Sequence, residues 1–242
     1  MDIQISHVSK SFDLKQVIND ITFSIPKGEI CCLLGPSGSG KTTLIRLMIG
    51  AIAADQGSIQ IDDIPMPHMK MLKKVGFMPQ NDALYDDLSA NANLSFFGGL
   101  YQMDNSALKK RINEVLAIVD LTKHRWKLVK HFSGGMKKRL SLAAAILHSP
   151  KILFLDEPTV GIDPVLRRTI WDQFQMIKHA GTTIIVSTHV MDEVSECDKA
   201  ALLYNGTLIE YDAVTTLLEK TENGRVEELF FIASDSKSGA ER

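Results

Sequence analysis

The sequence predicts an α/β fold built on a mostly parallel sheet, with an N-terminal antiparallel β subdomain and an inserted helical lobe. Three observations support this. Three apolar runs, EICCLLG (29–35), KILFLDEP (151–158) and TTIIVSTH (182–189), each stop abruptly at polar residues. Continuous leucine-rich and β-branched runs are the pattern of strands buried on both faces, as parallel strands lie beneath helices. The N-terminal stretch IQISHVSKSFDLKQVINDITFSI alternates instead, as antiparallel strands with one wet face do. Between residues 86 and 130 the strand pattern gives way to helical spacing, with Phe96 and Phe97 side by side.

The elements follow in order. Residues 41–51 read as a helix directly after a glycine-rich loop. VGFMP (75–79) is a short apolar strand ending at Gln80. The lobe, about 86–150, ends with a helix that opens in HFSGGMKKRL (131–140). Ser133 takes the N-cap position, Gly134 and Gly135 leave the first turn bare, and Met136, Leu140, Ala143 and Leu147 share a face. A basic run, Lys137-Lys138-Arg139, lies just inside that start. VLRRTIWDQFQMIKHA (165–180) is a helix with Lys178 and His179 in its last turn and Gly181 as its C-cap. AALLYNGTLIEY (200–211) reads as two strands around Asn205-Gly206, a strong hairpin signal. Residues 212–232 form a short helical extension packed through Leu217, Leu218, Leu229 and Phe230. The expectation is a single domain over 1–232 and a polar, disordered tail over 233–242.

Composition narrows the function. With 242 residues, 45% apolar and 23% charged, the chain has the balance of an ordinary globular protein with a large core. A net charge of −2 supplies no global basic field for nucleic acid or acidic lipid. Cys31, Cys32 and Cys197 lack metal-ligand spacing and read as reduced thiols of a cytosolic protein. No apolar run reaches the ~18 residues of a membrane span, and the start MDIQISHVSK has no signal-peptide core. Work at a membrane would require something else to hold the protein there.

In open α/β sheets the chemistry gathers beyond the carboxyl ends of the strands, where the polar clusters of all three apolar runs fall. GPSGSGKT (35–42) fits the phosphate-loop pattern G-x-x-x-x-G-K-[ST] between a strand and a helix, the signature of a P-loop NTPase core. The backbone of Gly35, Pro36, Ser37, Gly38, Ser39 and Gly40 would wrap a phosphate, Lys41 would supply a point charge, and the Thr42 hydroxyl would ligate Mg²⁺. Thr43 completes the nucleotide-contact set. In ILFLDEP (152–158), Asp156 is placed to hold the metal shell and Glu157 to act on the attacking water, because successive side chains at a strand end diverge. Alone, such a pair is more often a solvated loop start; beside a phosphate loop the acids become functional. His189 closes the third run, either as a polar strand end or within reach of a γ-phosphate. Gln80 alone says almost nothing.

GPSGSGKT, Gln80, SGG (133–135), LDEP (155–158), GIDP (161–164) and His189, in this order and spacing, resemble the ATP-binding subunit of an ATP-binding-cassette (ABC) transporter over about residues 2 to 232. The resemblance implies an ATPase that uses ATP and Mg²⁺ and pairs head to tail with a second ATPase subunit, identical or related. Ser133, Gly134 and Gly135 of one chain would bind the γ-phosphate of ATP held by the other. It also implies Glu157 as the catalytic base, His189 as the γ-phosphate switch, Gln80 as a nucleotide sensor and metal ligand linked to the membrane partner, and Asp163 at the dimer interface near the water. Phe12 falls where the family stacks an aromatic on adenine, although a core phenylalanine is an equal reading of that position. The partner implied is a separate transmembrane permease, which would hold the subunit on the inner face of the cell membrane.

The chain departs from the family pattern in two places. The signature is FSGGM where LSGGQ is usual, and Ala92 stands where a glutamate would complete a capping box with Ser89. SGGM followed by basic residues, GIDPVLRR and STHVMDEVSECDKAALLYNG are similar to the drug- and lipid-exporter branch. The alternative is a soluble ABC-type ATPase acting on nucleic acid or the ribosome. Such relatives carry a long coiled-coil insertion or two cassettes with a charged linker, which this sequence lacks, so no nucleic-acid partner is expected.

Overall fold

A computed structural model of the chain describes residues 1–238, with side chains described as far as Ile232. In chain order its elements begin with β1 (Ile3–Phe12), β2 (Lys15–Ile25), β3 (Ile30–Leu34), α1 (Lys41–Met48), β4 (Gln56–Ile61) and β5 (Ile64–Pro65). Then come α2 (Met69–Leu72), β6 (Val75–Met78), α3 (Ala90–Leu100), α4 (Asn105–Ile118), α5 (Gly134–Ile146), β7 (Ile152–Asp156) and α6 (Pro164–His179). The last are β8 (Thr183–Thr188), β9 (Lys199–Tyr204), β10 (Thr207–Ala213), α7 (Val214–Glu219) and α8 (Glu227–Ser238). Two compact units divide them: Met1–His68 with the chain from Ile185 onward, and Met69–Ile184. The division falls inside β8, whose six residues are all buried.

In the first unit β2, β1, β4 and β5 form an antiparallel sheet in that order. Ile3, Ile5 and Val8 of β1 are buried, while Gln4 and Ser6 are exposed. The pairing steps from Ile5↔Phe23 to Val8↔Ile21, so β1 carries one extra residue there, and His7 sits at φ 51°. This bulge returns Val8 to the inner face after two polar residues. Strands β4 and β5 are not anticipated by the sequence; β4 is short and finds its partner far away, Ile59 on Ile5 and Ile61 on Ile3. The five residues of β3 are all buried, and β3 pairs in parallel with β9 from Cys31↔Lys199 to Leu34↔Leu202. The expected hairpin joins β9 to β10 through Asn205 (φ 48°) and Gly206 (φ 76°), both left-handed as a two-residue turn of this kind requires.

In the second unit β6 and β7 pair in parallel, Val75↔Ile152 through Met78↔Leu155. Helices α3, α4 and α5 pack on one another as the helical lobe, burying Leu94, Val115, Leu116, Leu140 and Ala143. Ser89 caps α3 without the missing glutamate: its Oγ accepts the Ala92 N–H at 3.1 Å. Helix α6 begins at Pro164, a residue suited to a first turn, and buries Trp171 against Phe174, the rings edge-on at 5.2 Å.

Some boundaries differ from those read in the sequence. Helix α1 stops at Met48 rather than 51, because the chain turns at Gly50 (φ 73°). Leu217 and Leu229 of the C-terminal extension are buried, whereas Leu218 and Phe230 are half-buried. Helix α8 runs past the expected start of the tail to Ser238; residues 239–242 lie outside the described residues.

His148, just beyond α5, supplies a pH-dependent link in the second unit. Its Nε2–H donates to the Val75 carbonyl at 3.0 Å, and its ring stacks on Tyr101 with centroids 3.6 Å apart. Nδ1 is buried without a hydrogen-bond partner. Burial pulls the imidazole below its ordinary 6.5, against the raising effect of the Val75 carbonyl, and Arg111 lowers it further. The folded chain therefore favours neutral His148. Its contribution to stability is complete above the unfolded-state value and is lost as pH falls through the range below 6.5. The thermal midpoint should drop on acidification from about pH 7.5 to about 5.5, and His148→Gln should show a shallower drop.

Candidate functional site

In the first unit, β3 delivers the chain into the glycine loop. A Cβ on Gly35 would lie 2.2 Å from the Leu203 carbonyl oxygen, so only glycine passes there. Gly40 takes φ 103° with no room for a side chain beside Ile18. The loop closes with Ser39 N–H donating to the Pro36 carbonyl at 3.2 Å. Lys41 is 5% exposed and lies back across the loop, its Nζ donating to the carbonyls of Gly35 (2.7 Å) and Pro36 (3.1 Å).

Three features fit this loop to a polyphosphate. Helix α1 has no side-chain cap and no acid in its first turn, so its leading N–H groups and the positive end of its dipole suit an anion. Ser39 Oγ is buried without a hydrogen-bond partner, which an acidic oxygen would supply. Lys41 brings a buried cation to the same turn.

His189 follows β8 and is exposed. Thr188 fixes the turn that bears it, donating from Oγ1 to Glu193 Oε2 at 2.6 Å and accepting the Val190 N–H at 3.0 Å. Phe12 ends β1 with 45% of its surface exposed and Lys10 Nζ 5.6 Å from its ring centroid. It is a surface ring, not a core residue.

The second unit holds the acids. Asp156 ends β7 at 1% exposure, and Glu157 follows at 8% with φ 49°. Because Met78 pairs with Leu155, the residues two steps beyond each emerge side by side. Gln80 accordingly donates from Nε2 to Glu157 Oε2 at 2.9 Å. Asp163 caps α6, its Oδ1 accepting the N–H groups of Val165 (3.1 Å) and Leu166 (3.0 Å). Ser133 caps α5 through the Met136 N–H at 3.3 Å, and Ser133 and Gly134 are exposed, so the bare helix start faces solvent.

The residues singled out in the sequence thus fall into two sets. The glycine loop, Phe12 and His189 lie in the first unit, and Gln80, Ser133, Gly134, Gly135, Asp156, Glu157 and Asp163 in the second. Sequence reasoning missed that Lys138 Nζ donates to the Gln80 carbonyl at 2.6 Å. It also missed the Thr188–Glu193 bond behind His189. Lys138 stood out only as one of three adjacent cations, and no spacing rule links it to a carbonyl 58 residues away. Among the described residues no helix is long and apolar enough to cross a membrane.

The glycine loop between β3 and α1 places the chain among P-loop nucleotide-binding folds. The family model described as ABC transporter matches residues 18–160, more than half of the chain. The chain is 37% identical over 236 residues to ABC transporter G family member 20 of Dictyostelium discoideum, covering 94% of this chain but 32% of that protein. It is 36% identical to the linearmycin resistance ATP-binding protein LnrL of Bacillus subtilis (96% of this chain, 78% of the relative). It is 35% identical to the Nod factor export ATP-binding protein I of Bradyrhizobium diazoefficiens (95% and 76%). A solved ATP-binding subunit of an ABC transporter superposes with a TM-score of 0.86 at 23% identity, covering 97% of this chain and all of that one, and so shows the same fold. The chain belongs to the ABC transporter family, and within it to the ATP-binding, ATP-hydrolysing type.

Proposed function

We propose that this chain is the ATP-hydrolysing motor of an exporter: one cassette over residues 1–232 that pairs head to tail with a second cassette and drives a separate transmembrane permease. The observation that supports it most is the Gln80–Glu157 hydrogen bond at adjoining strand ends, which holds a nearly buried carboxylate directly after Asp156. A carboxylate fixed in this way suits a general base better than a solvated loop acid does.

The roles follow the resemblance, residue by residue. Gly35, Pro36, Ser37, Gly38, Ser39, Gly40, Lys41, Thr42 and Thr43 grip the phosphates, and Phe12 offers its exposed ring to adenine. By the resemblance, Thr42, Gln80 and Asp156 would hold Mg²⁺, which would supply neutralisation of phosphate charge. The amide of Gln80 suits two tasks, since Nε2 is engaged with Glu157 and the carbonyl end can accept a cation. Glu157 orients the attacking water and takes its proton, and His189 bonds the γ-phosphate. Ser133, Gly134 and Gly135 close on ATP held by the opposite chain, with Asp163 at that interface. Export rests on FSGGM, GIDPVLRR and STHVMDEV, and on the similarity to relatives named for export and resistance.

The test is a pull-down of the tagged chain from its native membranes in mild detergent, with mass spectrometry of what co-purifies. A polytopic membrane protein lacking its own phosphate loop is the expected result and would place the subunit on the inner membrane face. Recovery only from the soluble fraction with ribosomal proteins or nucleic acid would overturn the reading.

A further inference from the structure

The basic run inside the start of α5 remains to be explained, and its three charges go to three different partners. Lys137 Nζ meets Asp86 Oδ1 at 2.6 Å. Arg139 Nη1 donates to the carbonyls of Val119 and Asp120, both at 3.1 Å, just past the end of α4. Lys138 Nζ donates to the Gln80 carbonyl at 2.6 Å, a short, charge-assisted bond. All three side chains are half-buried, and their partners lie in the second unit. Gln80 then donates its own amide to Glu157. An unbroken path therefore runs from α5 through the Lys138 ammonium, the Gln80 backbone and the Gln80 side chain to the Glu157 carboxylate.

We infer that Lys138 is a positioning residue for hydrolysis: it pins the Gln80 backbone so that the Gln80 amide meets Glu157, tying the carboxylate to the helix that begins at Ser133. Gln80 lies two residues past Met78, the last residue of β6 to pair with β7, so the ladder alone does not hold it. The lysine supplies an anchor from a helix whose cap and packed face fix its own position. Asp82, two residues on, is half-buried, and its Oδ1 has no hydrogen-bond partner. It is the competing acceptor for the ammonium, and Lys138 engages the Gln80 carbonyl instead.

The inference rests on the role proposed for Glu157, and the experiment separates the two. Lys138→Met keeps the chain length and removes the charge, Lys138→Arg keeps the charge, and each is assayed for ATP turnover, KM and thermal midpoint in the full chain. Lys138→Met should lower kcat about tenfold, as small misplacements of reacting groups do, with KM for ATP and the thermal midpoint unchanged. Lys138→Arg should recover most of the loss. In a Gln80→Ala background Lys138→Met should cost nothing further, because the path is already cut. Wild-type turnover in Lys138→Met, full additivity with Gln80→Ala, or a loss matched by a falling thermal midpoint would each overturn the inference. Normal turnover in Glu157→Gln, assayed alongside, would instead remove the reading of Glu157, whatever Lys138 does.

Discussion

Glu157→Gln should remove nearly all ATP turnover, a loss of about 10²–10⁴-fold, the usual contribution of a positioned base. The substitution is nearly isosteric. Its amide oxygen can still accept the Gln80 Nε2–H that meets Glu157 at 2.9 Å, so the local geometry should survive. What disappears is the capacity to take a proton from water. ATP binding should persist, because the glycine loop and Lys41 are untouched. Binding without hydrolysis should then accumulate a closed, ATP-bound dimer, visible by gel filtration with ATP present. Near-normal phosphate release would remove Glu157 from the role assigned to it.

Ser133→Arg should leave ATP binding by the isolated chain intact and lower hydrolysis on the order of a hundredfold, comparable to losing one donor that stabilises transition-state charge. Two effects combine. Helix α5 loses the Oγ that accepts the Met136 N–H, which costs about 1 kcal/mol of local stability. A long cation also takes the place of the anion that the helix start is suited to receive. Ser133→Ala separates these effects, since it removes the cap and adds no bulk. Lost nucleotide binding in Ser133→Arg, read by titration calorimetry on the monomer, would show that the SGG turn does not serve an opposite site.

How far the sequence could be read depended on how local each signal was. Strands β3, β7 and β8 were legible because burial on both faces writes one continuous apolar run, and the chemistry sits where each run stops. The glycine loop, the Ser133 cap and the Asn205-Gly206 turn were legible because their partners lie within a few residues. Strands β4 and β5 were not, since the six residues of β4 gain their meaning only against β1, some fifty positions away, and the two of β5 only against β4. Ser89 shows the limit of a rigid motif: half a capping box still caps α3. The Gln80–Glu157 pair needed the β6–β7 register, and the Lys138 anchor needed the packing of α5, neither of which leaves a mark in spacing.

The backbone of Glu157 has a consequence for how this chain tolerates change. At φ 49° it occupies a conformation that crowds the Cβ of any residue but glycine, at a cost of roughly 1–2 kcal/mol. Asparagine or glycine would settle there more comfortably than glutamate. On the role proposed for Glu157, drift toward greater thermal robustness would therefore tend to cost hydrolysis, since the fold favours a different residue at this position.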